Sequence, residues 1–141
     1  MRAVVILLGA LLIGCYDSSG PQVHALPIRY GTAPLPADSP HFLSARVVGD
    51  TGFLTASGTW ITTPNCGYNP TFRAFIRDQR IHIHLYPTTT VPNPICFPGS
   101  AEFLWVVEAD SLPPSTYVVD VYYPYVAGAE IVIATDTVVV H

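Results

Sequence analysis

Arg80-Ile81-His82-Ile83-His84-Leu85-Tyr86 is the stretch whose reading decides the fold. Ile81, Ile83 and Leu85 alternate with Arg80, His82, His84 and Tyr86, a period of two that places the aliphatic residues on one face and the polar ones on the other. Such a segment is a half-buried β-strand. Upstream, Thr71 to Arg77 forms a second strand, and Asp78-Gln79 between the two has the length of a two-residue hairpin, although neither residue is the usual glycine.

Working outward, the same pattern recurs. His41 to Val48 opens the series, and Gly49-Asp50-Thr51-Gly52 supplies turn chemistry before Phe53 to Thr62. The turn-rich loop Thr63 to Pro70 then leads to the hairpin. Beyond it, Pro87 to Gly99 holds four prolines and Cys96 and reads as a loop. Ala101 to Val107, Val118 to Tyr123 and Glu130 to Val140 complete seven strands. No segment from Pro40 onward offers the 3.6-residue period of an amphipathic helix. Seven short strands, spaced by turns, predict an all-β chain folded as one sandwich.

Leu112-Pro113-Pro114-Ser115-Thr116-Tyr117 refines that expectation. A leucine, a proline turn and a tyrosine opening an alternating strand resemble the tyrosine corner of immunoglobulin-like and fibronectin type III domains. The resemblance implies that the Tyr117 hydroxyl bonds back to the backbone a few residues upstream; the alternative is a half-buried strand tyrosine. Cys66 and Cys96 fall in loops, so the intersheet disulfide of immunoglobulin domains is not expected. Two loop cysteines flanking a hairpin and followed by this segment also resemble small exported bacterial β-domains, which carry no assigned activity.

At the other end of the chain, Met1-Arg2 precedes an apolar run from Ala3 to Ile13. Charge, hydrophobic segment and small residue in that order lay out an export signal. The run is shorter than the roughly 20 apolar residues that span a bilayer. Leu12-Ile13-Gly14-Cys15 resembles the lipobox of bacterial lipoproteins, which implies that residues 1–14 are a signal peptide and that Cys15 is lipidated. The alternative is a free thiol inside an ordinary signal, but no A-x-A-like cleavage site stands nearby. Residues 15–40, rich in Ser, Gly and Pro, read as a flexible tether, with Ala25 to Tyr30 able to lie against the domain as an irregular edge segment. Residues 41–141 are the sandwich. By analogy with lipoprotein sorting, Tyr16 after the cysteine points to the outer membrane of a bacterial envelope.

With Cys15 lipidated, Cys66 and Cys96 remain as a pair in a compartment where disulfides persist. Two metal-binding thiolates are the alternative, without supporting C-x-x-C or C…H spacing. The mature chain is one domain of about 125 residues, mildly acidic, with five arginines, no lysine and ten acids. It lacks the basic footprint of a nucleic-acid binder and a polybasic membrane patch, leaving the membrane, through the lipid, and a protein or glycan as expected partners. No nucleophile elbow, P-loop, H-E-x-x-H or dinucleotide fingerprint occurs, and no cofactor or catalytic residue is expected. His82 and His84, two residues apart on one strand face, could share a metal if Asp78, His41 or Glu102 supplied a third ligand, or they are a solvated polar pair. Tyr122 and Tyr125 are candidate contact residues for a sugar or protein. The sequence reading is therefore a lipid-anchored extracytoplasmic sandwich with a non-enzymatic binding or structural role, a sugar- or metal-binding module being the alternative.

Overall fold

The computed structural model describes residues 22–36, 43–62, 65–89, 92–124 and 129–141, and every regular element among them is a strand. Nine strands follow in order: β1 (His24–Leu26), β2 (Ile28–Pro34), β3 (Ser44–Gly49), β4 (Phe53–Thr62), β5 (Asn69–Arg77), β6 (Arg80–Thr88), β7 (Ala101–Asp110), β8 (Ser115–Pro124) and β9 (Glu130–Val140). They form a five-stranded sheet, β1-β5-β6-β8-β9, and a four-stranded sheet, β2-β7-β4-β3. The two sheets enclose one apolar core, so the chain is an all-β sandwich.

One sequence expectation needs correction. Among the described residues the strands number nine rather than seven, because part of the segment read as a tether is paired. His24–Leu26 pairs with Ala74–Ile76, and Ile28–Pro34 pairs along Phe103–Ala109. Prolines forbid a helix there but tolerate an edge strand, where a missing N–H faces away from the ladder. Pro27 separates β1 from β2, and the chain changes sheets across it. Immunoglobulin-like domains are built from two antiparallel sheets. Here β6 and β8 run parallel, with Arg80 to His84 opposite Val118 to Tyr122, at the centre of the larger sheet.

Both open ends of the layers are drawn together. On one side the β1–β2 segment serves each sheet in turn. On the other, Val47 N–H donates to Asp136 Oδ2 at 3.1 Å, and Gly52 and His141 exchange backbone bonds with neighbours across the β3–β9 seam. Gly49 is required at that seam, since a Cβ there would collide with the Val139 carbonyl.

Core composition follows the period-two pattern. Ile81, Ile83 and Leu85 of β6 stand beside Val119 and Val121 of β8 on one sheet face, with Leu54, Trp60, Trp105 and Val107 contributed by the smaller sheet. One polar element is buried among them. Trp105 Nε1 donates to Tyr123 Oη at 2.6 Å, and Tyr123 Oη donates to the Thr59 carbonyl. Burial pushes the Tyr123 phenol well above its ordinary range, so it stays a protonated donor.

Two further features join the layers. Tyr117 Oη donates to the Pro113 carbonyl at 2.9 Å, with Leu112 buried beside it, the geometry of a tyrosine corner. Cys66 and Cys96 are bridged, which ties the β4–β5 connection to the β6–β7 connection. An antiparallel bridge between Asn65 and Phe97 flanks the disulfide. Cys15 and Tyr125 lie outside the described residues, as does His41.

Candidate binding face

The alternation that buries Ile81, Ile83 and Leu85 turns Arg80, His82, His84 and Tyr86 outward, and the neighbouring strands add their own outward sets. Arg73 and Phe75 of β5 lie opposite His84 and His82. On β8 the inward series Tyr117, Val119, Val121 and Tyr123 leaves Asp120 and Tyr122 pointing out, beside His82 and His84.

A bulge completes the arrangement. Val121 pairs with Ala134 but Tyr122 pairs with Val132, which leaves Ile133 as an extra residue in β9. The slip keeps Val132 and Glu130 on the outward side, where the Glu130 carboxylate reaches His84 Nδ1 at 2.9 Å and 3.0 Å.

The rings form a stack. Tyr122 and His84 lie parallel with centroids 4.4 Å apart, and the Tyr86 ring is near-parallel to His84 at 6.1 Å. The Arg73 guanidinium sits over the Tyr86 ring at 5.5 Å, within cation–π range. Phe75 meets His84 edge-on at 5.8 Å. His82 Nδ1 shares a hydrogen bond with Tyr122 Oη at 3.0 Å. Each imidazole thus has Nδ1 engaged by a neighbour, which fixes ring orientation and leaves Nε2 as the remaining polar atom.

Asp120 is the electrostatic centre. It is 1% exposed, although it stands on the outward side of the sheet. Arg80 closes over it, donating through Nε to Oδ2 at 2.6 Å and through Nη2 to Oδ1 at 3.1 Å, and Thr135 Oγ1 donates to Oδ1 at 2.8 Å. Burial alone would raise the Asp120 carboxyl, but the hydrogen bonds from Arg80 and Thr135, with the charges of Arg80 and His82, outweigh it and hold the group below its usual value. His82 moves the other way from a simple ion-pair partner: burial lowers it most, Asp120 pulls back, and Arg80, His84 and Arg77 lower it further. Tyr122 is raised, first by burial and then by the Asp120 charge.

The structure places His82, His84 and Tyr122 together. The metal expectation finds no support in it: among the described residues no group of three or more His, Cys, Asp or Glu side chains gathers as a metal site. Asp78 is in the hairpin turn and Glu102 is on β7 of the other sheet, so neither supplies a third ligand. Sequence reasoning missed Asp120, Arg80 and Glu130. Asp120 carried a signal, as the one charged residue within Val118-Val119-Asp120-Val121, but its partner is fixed by a parallel pairing that has no local signature. Compared with family models, curated proteins and solved structures, the chain matches none.

Proposed function

We propose that the chain is a lipid-anchored extracytoplasmic binding domain of a bacterial envelope, tethered through Cys15, whose working face is the outer side of the five-stranded sheet. The lipobox-like Leu12-Ile13-Gly14-Cys15 and the Cys66–Cys96 bridge support the compartment, since disulfides persist outside the cytoplasm. The tyrosine corner supports kinship with immunoglobulin-like sandwiches despite the parallel β6–β8 pair. The role is recognition rather than catalysis, and the partner is an envelope glycan or protein.

The observation that carries the reading is the interlocked set Arg73, Tyr86, His84, Tyr122 and Glu130. Rings, a cation and a carboxylate are held in fixed orientation on a face that core packing does not need. Rigid aromatic and polar groups of this kind give directional contacts at low entropic cost.

The test has two arms. Cys15→Ala releases the protein from the membrane fraction, and mass spectrometry of the native protein finds an acylated cysteine at its start. Continued membrane association of the variant refutes the anchor. Tyr86→Ala and Arg73→Ala weaken retention of the protein on isolated envelope material, whereas Val139→Ser, also outward on β9, does not. Equal retention of all three variants refutes the working face.

A further inference from the structure

We infer that the hairpin end of this face is a binding site for the carboxylate of an acidic saccharide, formed by Arg77, Arg80 and His82. The inference rests on the reading of that face as the working one and names the chemistry it takes.

A depression of about 550 Å³ opens there, lined by Arg77, Asp78, Gln79, Arg80, His82 and Val118. Its size falls within the roughly 300–1,000 Å³ of small-molecule sites. Arginine side chains cluster beside it. The chain is acidic overall, yet three of its six arginines, Arg73, Arg77 and Arg80, stand on β5 and β6. By contrast, Arg29 on the other sheet is neutralised by Glu108 and Asp110.

Arg77 and Arg80 lie directly opposite each other across the hairpin. Two like charges in that position repel unless an anion lies between or beside them. Asp120 meets that need for Arg80 alone, and no carboxylate among the described residues lies within ion-pair distance of Arg77. Asp120 also does something more specific. By taking Nε–H and one N–H of Nη2, it fixes the plane of the Arg80 guanidinium and leaves the other donors of the fork for a ligand. His82 also lines the depression, and Val118 adds a small apolar surface.

The sheet discriminates between ligand classes. Arg80 to His84 of β6 and Val118 to Tyr122 of β8 each have a paired neighbour on both sides, so their backbone groups are used in the ladders. A peptide binding by strand addition needs an open edge, which β6 and β8 do not offer beside this depression. Recognition there runs through side chains, and the adjacent Tyr122 and His84 offer ring edges suited to a sugar. Asp78 lines the same depression and opposes an anion. That carboxylate makes the proposal testable in both directions.

The experiment titrates the full-length protein in detergent with galacturonate, galactose and a tri-glutamate peptide, following the His82 and arginine side-chain resonances by NMR. Galacturonate shifts these signals, and galactose at the same concentration leaves them in place. Arg77→Ala weakens galacturonate binding about tenfold, the loss of one charge-assisted contact. Arg77→Lys recovers part of it, because charge is kept and the fork is lost. Asp78→Asn tightens binding. Asp78 has φ of +56°, a conformation asparagine adopts readily, so this variant keeps the turn. The site is overturned if galactose perturbs the signals as strongly, if Arg77→Ala binds as the parent does, or if the peptide matches galacturonate. Failure here with retention on envelope material still sensitive to Tyr86 removes the anion site and leaves the working face. Galacturonate binding with retention insensitive to Tyr86 and Arg73 does the reverse.

Discussion

Tyr123→Phe and Tyr117→Phe remove the same hydroxyl from two equally buried tyrosines, and the structure predicts different costs. Tyr123 is 2% exposed and Tyr117 is 3% exposed, so neither change opens more than the space of one oxygen. What differs is the partner left behind. Tyr117 Oη donates to the carbonyl of Pro113, an exposed residue, and water can replace the lost donor. The cost is that of one ordinary hydrogen bond, about 1 kcal/mol. Tyr123 Oη accepts from Trp105 Nε1, and Trp105 is 3% exposed. Removing that acceptor strands a buried N–H, with a penalty of about 1–3 kcal/mol in addition to the bond given up to the Thr59 carbonyl. Tyr123→Phe therefore costs about 2–4 kcal/mol, roughly twice to four times the cost of its counterpart. Urea unfolding followed by tryptophan fluorescence measures both, and with a slope of about 2 kcal/mol/M the midpoints separate by about 0.5–1.5 M. The slopes themselves should match the parent. Equal midpoints for the two variants would refute the account of the Trp105–Tyr123–Thr59 chain as a buried obligatory network.

Three other outcomes follow from local geometry. Replacing Cys66 and Cys96 with serine opens a loop with a sequence separation of 30 residues, and the chain-entropy model sets the loss at about 3.6 kcal/mol, measured as a lower urea midpoint that reductant reproduces in the parent. Gly58→Ala drives a Cβ into the Ser44 carbonyl and to 2.7 Å from Trp105 Cζ2, so the variant loses about 2 kcal/mol or more by thermal unfolding; wild-type stability would contradict the close β3–β4 approach. The acid dependence of stability has two components of the same sign. Asp120 and His82 both have folded-state values below their ordinary ones, 3.8 and 6.5, so each contributes stability that is present above the ordinary value and is lost as pH falls through the folded one. Asp120→Asn abolishes the lower component in a pH series of urea midpoints, and His82→Asn abolishes the upper.

Much of the fold is written in local pattern. Ile81, Ile83 and Leu85 against Arg80, His82, His84 and Tyr86 define both the strand and its exposed face, and each of the seven segments read as strands overlaps an observed one. The hairpin length is equally legible, since Asp78 supplies the positive φ that glycine would otherwise provide. What eludes local reading is pairing. His24–Leu26 and Ile28–Pro34 have no clear alternation and are framed by prolines, and only the free edges of β5 and β7 make them strands. Likewise β6 and β8 become neighbours because β7 crosses to the other sheet between them, which no residue in either strand announces. The candidate face inherits this division. His82 and His84 are visible as a pair, whereas Arg80–Asp120 and His84–Glu130 require the parallel pairing and the bulge at Ile133.

The Arg80–Asp120 pair connects stability to recognition through an asymmetry of burial. Arg80 remains 55% exposed on its side chain while Asp120 is covered. If Asp120 is replaced by valine, Arg80 turns to water and the sheet keeps a well-packed β-branched residue. If Arg80 is replaced by alanine, Asp120 is left as a buried charge with Thr135 and a neighbouring imidazole. The exposed member is thus the one whose loss is the more destabilising, the reverse of the order that exposure alone suggests. An arginine so placed cannot rotate freely to follow a ligand, because the carboxylate beneath holds it. That is the property a recognition surface needs on strands paired at both sides: the donors presented to solvent are fixed from below, before any ligand arrives.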